Sequence, residues 1–129
     1  MGESYQNLVA WQKAMDLVVA VYALTECFPR SEQYGLTAQL QRAAVSVPSN
    51  IAEGQARHSQ PEFYRFLSHA RGSLAEAETQ IHIALRLRYV TRPAAQAVLD
   101  QAAELGRVLN GLLAAIGGRV AAARAATEN

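Results

Sequence analysis

The stretch that decides the fold is Ser59–Ala84, SQPEFYRFLSHARGSLAEAETQIHIA. Its first four residues, Ser59-Gln60-Pro61-Glu62, form a capping-box pattern, with Ser59 as N-cap and Glu62 placed to reach back to it. Phe63, Leu67, Ala70, Leu74, Ala77, Ile81 and Ala84 then recur at alternating spacings of four and three. That heptad seam turns one helix face inward and favours shallow crossing angles of about 20°. Gly72 interrupts the pattern at a cost of about 1 kcal/mol relative to alanine, which predicts a close approach by a neighbouring helix. Tyr64 and Phe66 fall beside the seam, so this helix carries apolar surface outside its core face.

Working towards the N-terminus, Leu36, Leu40, Ala44, Val47 and Ile51 make the apolar stripe of a second helix over about 36–54. Pro48 lies within it and removes one backbone hydrogen bond, so a kink is expected, with two shorter helices meeting at Val47 as the alternative. Ser46, Ser49 and Asn50 stand ready to satisfy the groups that the proline frees. Pro29 to Gly35 is a connector. Before it, a helix should start near Leu8, with Asn7 as N-cap, and stop short of Pro29. This first helix has two apolar seams: Leu8, Trp11, Met15, Val18 and Tyr22, and beside them Ala10, Ala14, Leu17, Val21, Leu24 and Phe28. A surface helix of a monomer usually shows one stripe of about 100°. Two imply self-association.

Towards the C-terminus, Tyr89 and Val90 end the third helix, Thr91 caps a fourth and Pro93 fits its first turn. Val98, Ala102, Leu105, Leu109, Leu112 and Ile116 form its core stripe. Gly117-Gly118 should stop it, leaving residues 1–117 as one domain and 118–129 as an Ala-rich, frayed or disordered tail. Short connectors between helices of about 20 residues give an all-α, antiparallel, up-down-up-down four-helix bundle.

Composition narrows the function. Twelve basic against eleven acidic residues give a net charge of +1, so nucleic acid can be attracted only by a local patch. The single Cys27 forms no intrachain disulfide, which suits a reducing compartment. Neither a signal peptide nor an apolar run of membrane-spanning length is legible. A cytoplasmic protein with no membrane association is expected.

No constellation reads as a catalytic or metal centre, and no cofactor is expected. Glu78 and His82 share a helix face, but a di-metal bundle needs carboxylates from several helices, so a surface ion pair is the better account. Arg65 and His69, four apart, would be the active pair in an alternative reading as a HEPN-like ribonuclease. Only three residues separate them, and a polar interface contact is preferred. Arg86, Arg88 and Arg92 cluster at the corner between the third and fourth helices. Their charge suits a helix C-terminus. Repeated by symmetry, the cluster becomes a candidate nucleic-acid contact, with Tyr89 able to stack on a base.

Five segments together resemble the four-helix-bundle family of the 23S ribosomal RNA intervening-sequence proteins, related to the accessory variability protein of diversity-generating retroelements. They are LVAWQKA (8–14), YALTECFP (22–29), YGLT (34–37), QLQRAAVSVPSNIAEG (39–54), and the EFYRFL and GSLAEAETQ runs within 62–80. The resemblance implies a non-enzymatic, pentameric, barrel-like assembly, whose retroelement relative binds nucleic acid and a reverse transcriptase. Combined with the double seam, it points to Trp11, Met15, Val19, Tyr22, Tyr64 and Phe66 as the subunit interface. Arg42, Asn50, Glu53, Arg65, His69 and Glu76 are expected as a polar layer between helices, setting register or subunit contact. The expected partners are further copies of the chain, and RNA, DNA or another protein.

Overall fold

In the computed structural model, which describes residues 4–128, four α-helices follow one another: α1 (Val9–Thr25), α2 (Leu36–Ala56), α3 (Gln60–Arg86) and α4 (Arg92–Glu128). Each packs on two neighbours in the cycle α1–α2–α3–α4–α1. This is the expected bundle. Among the described residues, no helix is long and apolar enough to cross a membrane.

The core is the meeting of the stripes. All seven positions of the α3 heptad are buried, as are Leu36, Leu40, Ala44, Val47 and Ile51 of α2. Val98, Ala102, Leu105, Leu109 and Ile116 come in from α4, while Leu112 is half-buried. The α1 seams divide: Ala10, Ala14, Leu17, Val21 and Leu24 face the core, and Met15 and Tyr22 of the other seam face outward.

Three helix ends differ from expectation. Asn7 is not the N-cap of α1; it closes a 3-10 turn, Tyr5–Asn7, whose first amides are served by Ser4, and Leu8 starts α1 without a side-chain cap. The Tyr5 ring meets Trp11 edge-on at 5.4 Å, and this contact holds the entry in place of a cap. At α3 only half of the capping box forms. Ser59 Oγ accepts from the Glu62 amide, but the Glu62 carboxylate takes two donors from Arg65, Nε at 3.1 Å and Nη2 at 3.0 Å. The third difference is the largest. Gly117-Gly118 does not stop α4, which continues helical to Glu128. Tyr64 lies against Gly117, its ring atom 3.1 Å from where a Cβ would stand, and Val120 packs against the core. The Ala-rich run that follows has the strongest intrinsic helix preference, which outweighs two glycines.

α2 runs unbroken through Pro48, so the two-helix alternative falls. The Asn50 amide donates to the Ser46 carbonyl at 2.8 Å and to Ser46 Oγ at 2.9 Å. The other end of α3 closes with Arg88 at φ 63°, the Tyr89 amide reaching the Ala84 carbonyl and the Arg88 amide the Leu85 carbonyl, both at 3.0 Å. These two bonds make a Schellman cap with arginine in the place usually held by glycine.

Candidate interaction surfaces

The outer face of α1 is the clearest unspent surface. Met15 is 40 % exposed, Val19 70 % and Tyr22 45 %, at i, i+4 and i+7 on one side of the helix. Trp11 is half-buried and packs against the core. Beside the stripe a groove of about 460 Å³ opens between α1 and α4, lined by Lys13, Asp16, Val19, Ala20, Gln101 and Glu104 among others. Lys13 Nζ bridges it to Glu104 at 2.8 Å, and this contact holds the Glu104 carboxyl below its usual pKa.

On α3 the expected interface pair separates. Tyr64 is 41 % exposed, but Phe66 is 7 % exposed and belongs to the interior. The reason is Gly54, where a Cβ would stand 2.6 Å from Phe66 Cβ; α2 approaches so closely there that Phe66 fills the seam between the helices. Its ring is then clad by charge, with the guanidinium of Arg65 at 4.6 Å and of Arg57 at 5.1 Å, and by His69 edge-on at 6.3 Å.

The expected polar layer divides in the same way. Asn50 joins Ser46 and Ser73, whose hydroxyls lie 2.8 Å apart across the α2–α3 seam. Arg42 and Glu76 line a groove of about 350 Å³ next to it, with Gln39, Ala43 and both serines. Neither makes an ion pair. Glu53 pairs instead with Arg57, and Arg65 with Glu62, because partners one turn away on the same helix are nearer than the facing helix. Arg65 is thus paired with Glu62, and its guanidinium and the His69 ring both lie against the Phe66 ring. Glu78 faces Arg71 at 3.9 Å and His82 is exposed; among the described residues no three metal-binding side chains gather.

Sequence reasoning missed several contacts. Arg71 Nε donates to Asn110 Oδ1 at 3.2 Å, tying α3 to α4. Gln80 is buried in α3 with its side-chain oxygen unpartnered. Arg71 falls on no recognisable motif, and Gln80 ends the GSLAEAETQ run one heptad beyond Ser73.

At the α3–α4 corner, Arg86, Arg88 and Arg92 are exposed and without ion pairs. Arg30, in the 3-10 turn Arg30–Glu32 at the same end, is exposed too. Tyr89 is not among them. Its hydroxyl donates to Glu32 Oε2 at 2.9 Å and its ring packs against Phe28 at 5.8 Å. Glu32 Oε1 in turn accepts from the Leu36 amide at 3.0 Å. Tyr89 therefore clamps the cap of α2. The Leu36 amide first, and then the Tyr89 hydroxyl, lower the Glu32 pKa from its ordinary 4.5; the bond to Glu32 raises that of Tyr89 above 10.0.

A lowered acid favours the fold above its unfolded pKa and loses that favour as pH falls through the folded one. A raised phenol gives full stability below its unfolded pKa and loses it as pH rises through the folded one. Tyr89→Phe should therefore lower the Tm at neutral pH. The difference from wild type should shrink below about pH 4.5 and again above about pH 10. Thermal unfolding followed by circular dichroism checks this, and a pH-independent difference would contradict the clamp.

Comparison with known proteins places this arrangement. A crystal structure from Bacteroides thetaiotaomicron VPI-5482, of a protein with unknown function from the S23 ribosomal protein family, superposes with a TM-score of 0.76. It covers 81 % of this chain and 98 % of that one at 21 % identity, a likeness of fold. No curated protein matches the chain. The profile of the 23S rRNA-intervening sequence proteins matches residues 6–111, which include all of α1, α2 and α3 and the first half of α4. The chain belongs to the family of 23S rRNA-intervening sequence proteins.

Proposed function

We propose that this protein is a non-enzymatic, self-associating scaffold of the cytoplasm that holds nucleic acid at the arginine-bearing end of its bundle. The observation that carries the scaffold reading is the α1 stripe. The inner seam of α1 lies in the core, yet Met15, Val19 and Tyr22 form a second apolar face that none of the described residues covers. Five subunits is the number implied by family resemblance. The nucleic-acid reading is supported by Arg30, Arg86, Arg88 and Arg92, four unpaired cations at one end of a nearly neutral chain, which symmetry would repeat. Cys27, exposed and unpaired, suits a reducing compartment.

Light scattering at micromolar concentration should give a mass near 70 kDa, five times the 14.0 kDa chain. A mass of 14.0 kDa would overturn the scaffold reading. For the second half, a short single-stranded RNA is titrated at several salt concentrations. Replacing Arg86, Arg88 and Arg92 together by alanine should flatten the slope of log K against log salt by about 2 for each corner engaged. An unchanged slope would remove nucleic acid from that corner.

A further inference from the structure

Gly72 lies in the middle of α3, and among the described residues no atom beyond its own stretch of helix comes within 4 Å of the place its Cβ would occupy. A helix-weakening glycine is thus kept where the chain itself needs no room, and the close approach expected of a neighbouring helix is not met inside the subunit. Next to Gly72 lies the α2–α3 groove, with Arg42 unpaired on one wall and Glu76 on the other. On a different face, α1 presents an exposed apolar stripe together with Asp16 and Glu26, two exposed acids that also lack ion pairs.

We propose that the outer face of α1 in one copy packs head to tail onto the Gly72 face of α3 and the adjoining groove in the next copy. The proposal rests on the self-association argued above and adds which surfaces meet. Hydrogen bonds within the chain set the relative heights of the helices: Thr25 to Gln41 between α1 and α2, and Ser46 to Ser73 between α2 and α3. In copies standing side by side around a closed ring, stepping along these helices at about 1.5 Å per residue brings Val19 within a turn of Gly72. Asp16 comes within a turn of His69, and Tyr22 within a turn of Glu76, whose carboxylate can accept from the phenol. Arg42 supplies the positive charge that the acids of α1 lack. Only glycine leaves the α3 surface flat enough for the branched Val19 side chain to lie on the backbone. Because the two surfaces differ, each copy has one of each to offer, and the contact propagates until the ring closes.

Gly72→Leu tests this without touching the core. The variant should remain helical, with a Tm not below that of the wild-type monomer, and fall to 14.0 kDa. Gly72→Gln should do the same, which separates lost docking from association of an added apolar side chain. Gly111 of α4 is equally open, and Gly111→Leu should leave the assembly intact. The decisive arm is a mixture. Val19→Glu keeps its α3 face and Gly72→Leu keeps its α1 face, so the two together should form a 28.0 kDa heterodimer, twice the 14.0 kDa chain. A Gly72→Leu protein at the wild-type mass would overturn the proposal, as would a mixture that stays monomeric. Loss of assembly in Gly111→Leu alone would place the receiving face on α4. A wild-type monomer removes the scaffold itself, whereas disassembly by Val19→Glu and not by Gly72→Leu leaves the scaffold and removes this docking.

Discussion

Val19→Glu is expected to reduce the protein to a 14.0 kDa species while leaving its helix content unchanged. In the isolated chain Val19 is 70 % exposed, so a carboxylate there meets water and costs the bundle little. In a packed interface the same carboxylate is desolvated against the helix backbone at Gly72, a penalty of several kcal/mol. A loss of about 3 kcal/mol per contact weakens association on the order of a hundredfold. The Tm carries the same information. An assembly stabilises its folded subunits by mass action, so the wild-type Tm should rise with protein concentration, and the variant's should not. Val47→Glu is the control. Val47 is fully buried in the core, and a charge there should unfold the subunit. Sedimentation and circular dichroism on the three proteins separate the cases, and a Val19→Glu protein still at full mass would mean that the interface lies elsewhere.

Gly54→Ala is expected to destabilise the subunit itself, although alanine is the better helix former. Its Cβ would stand 2.6 Å from Phe66 Cβ and 3.1 Å from Phe63 Cδ1. The first of these is bonded directly to the α3 backbone, so no rotamer change relieves it and the two helices must part. Overpacking of this kind costs about 1–3 kcal/mol, against a gain of up to about 1 kcal/mol from helix propensity. Since 1 kcal/mol shifts the Tm of a domain this size by several degrees, the net effect should be a fall on the order of 5 °C. Gly118→Ala provides the contrast. Nothing lies within 4 Å of a Cβ there, and only the propensity gain remains. A Gly54→Ala protein melting at or above the wild-type Tm would show that α2 and α3 do not approach so closely.

The bundle was legible because its information is periodic and local to each helix. The α3 heptad and the inner seam of α1 named their buried residues one by one. What stayed hidden depended on a second helix. Phe66 sits beside the heptad and belongs outside by period alone; only Gly54, twelve residues away on another helix, makes room for it inside. Glu53 and Arg65 looked like partners across a seam, but each had a nearer one on its own helix. Tyr89 looked free among arginines, since nothing in the corner shows that Glu32, far back in the chain, will hold its hydroxyl. Gly117-Gly118 looked like a stop because such pairs often end helices, yet the alanines beyond and the Tyr64 ring decide otherwise. The Arg88 cap carried no glycine to announce it. At the interaction surfaces the surplus of apolar face on α1 could be read in advance, and the open space at Gly72 could not.

The central claim is that the α1 stripe is covered by another copy of the chain, and Met15 reports on it directly. Its side chain is 40 % exposed in the single subunit, so dilute peroxide should convert it readily to the sulfoxide in a monomer. Peptide mass spectrometry on wild-type protein at micromolar concentration should show Met15 oxidising several-fold more slowly than in Val19→Glu, with the protection lost on dilution. Equal rates in the two proteins, at a concentration where the wild type is assembled, would show the stripe open to solvent and contradict the account.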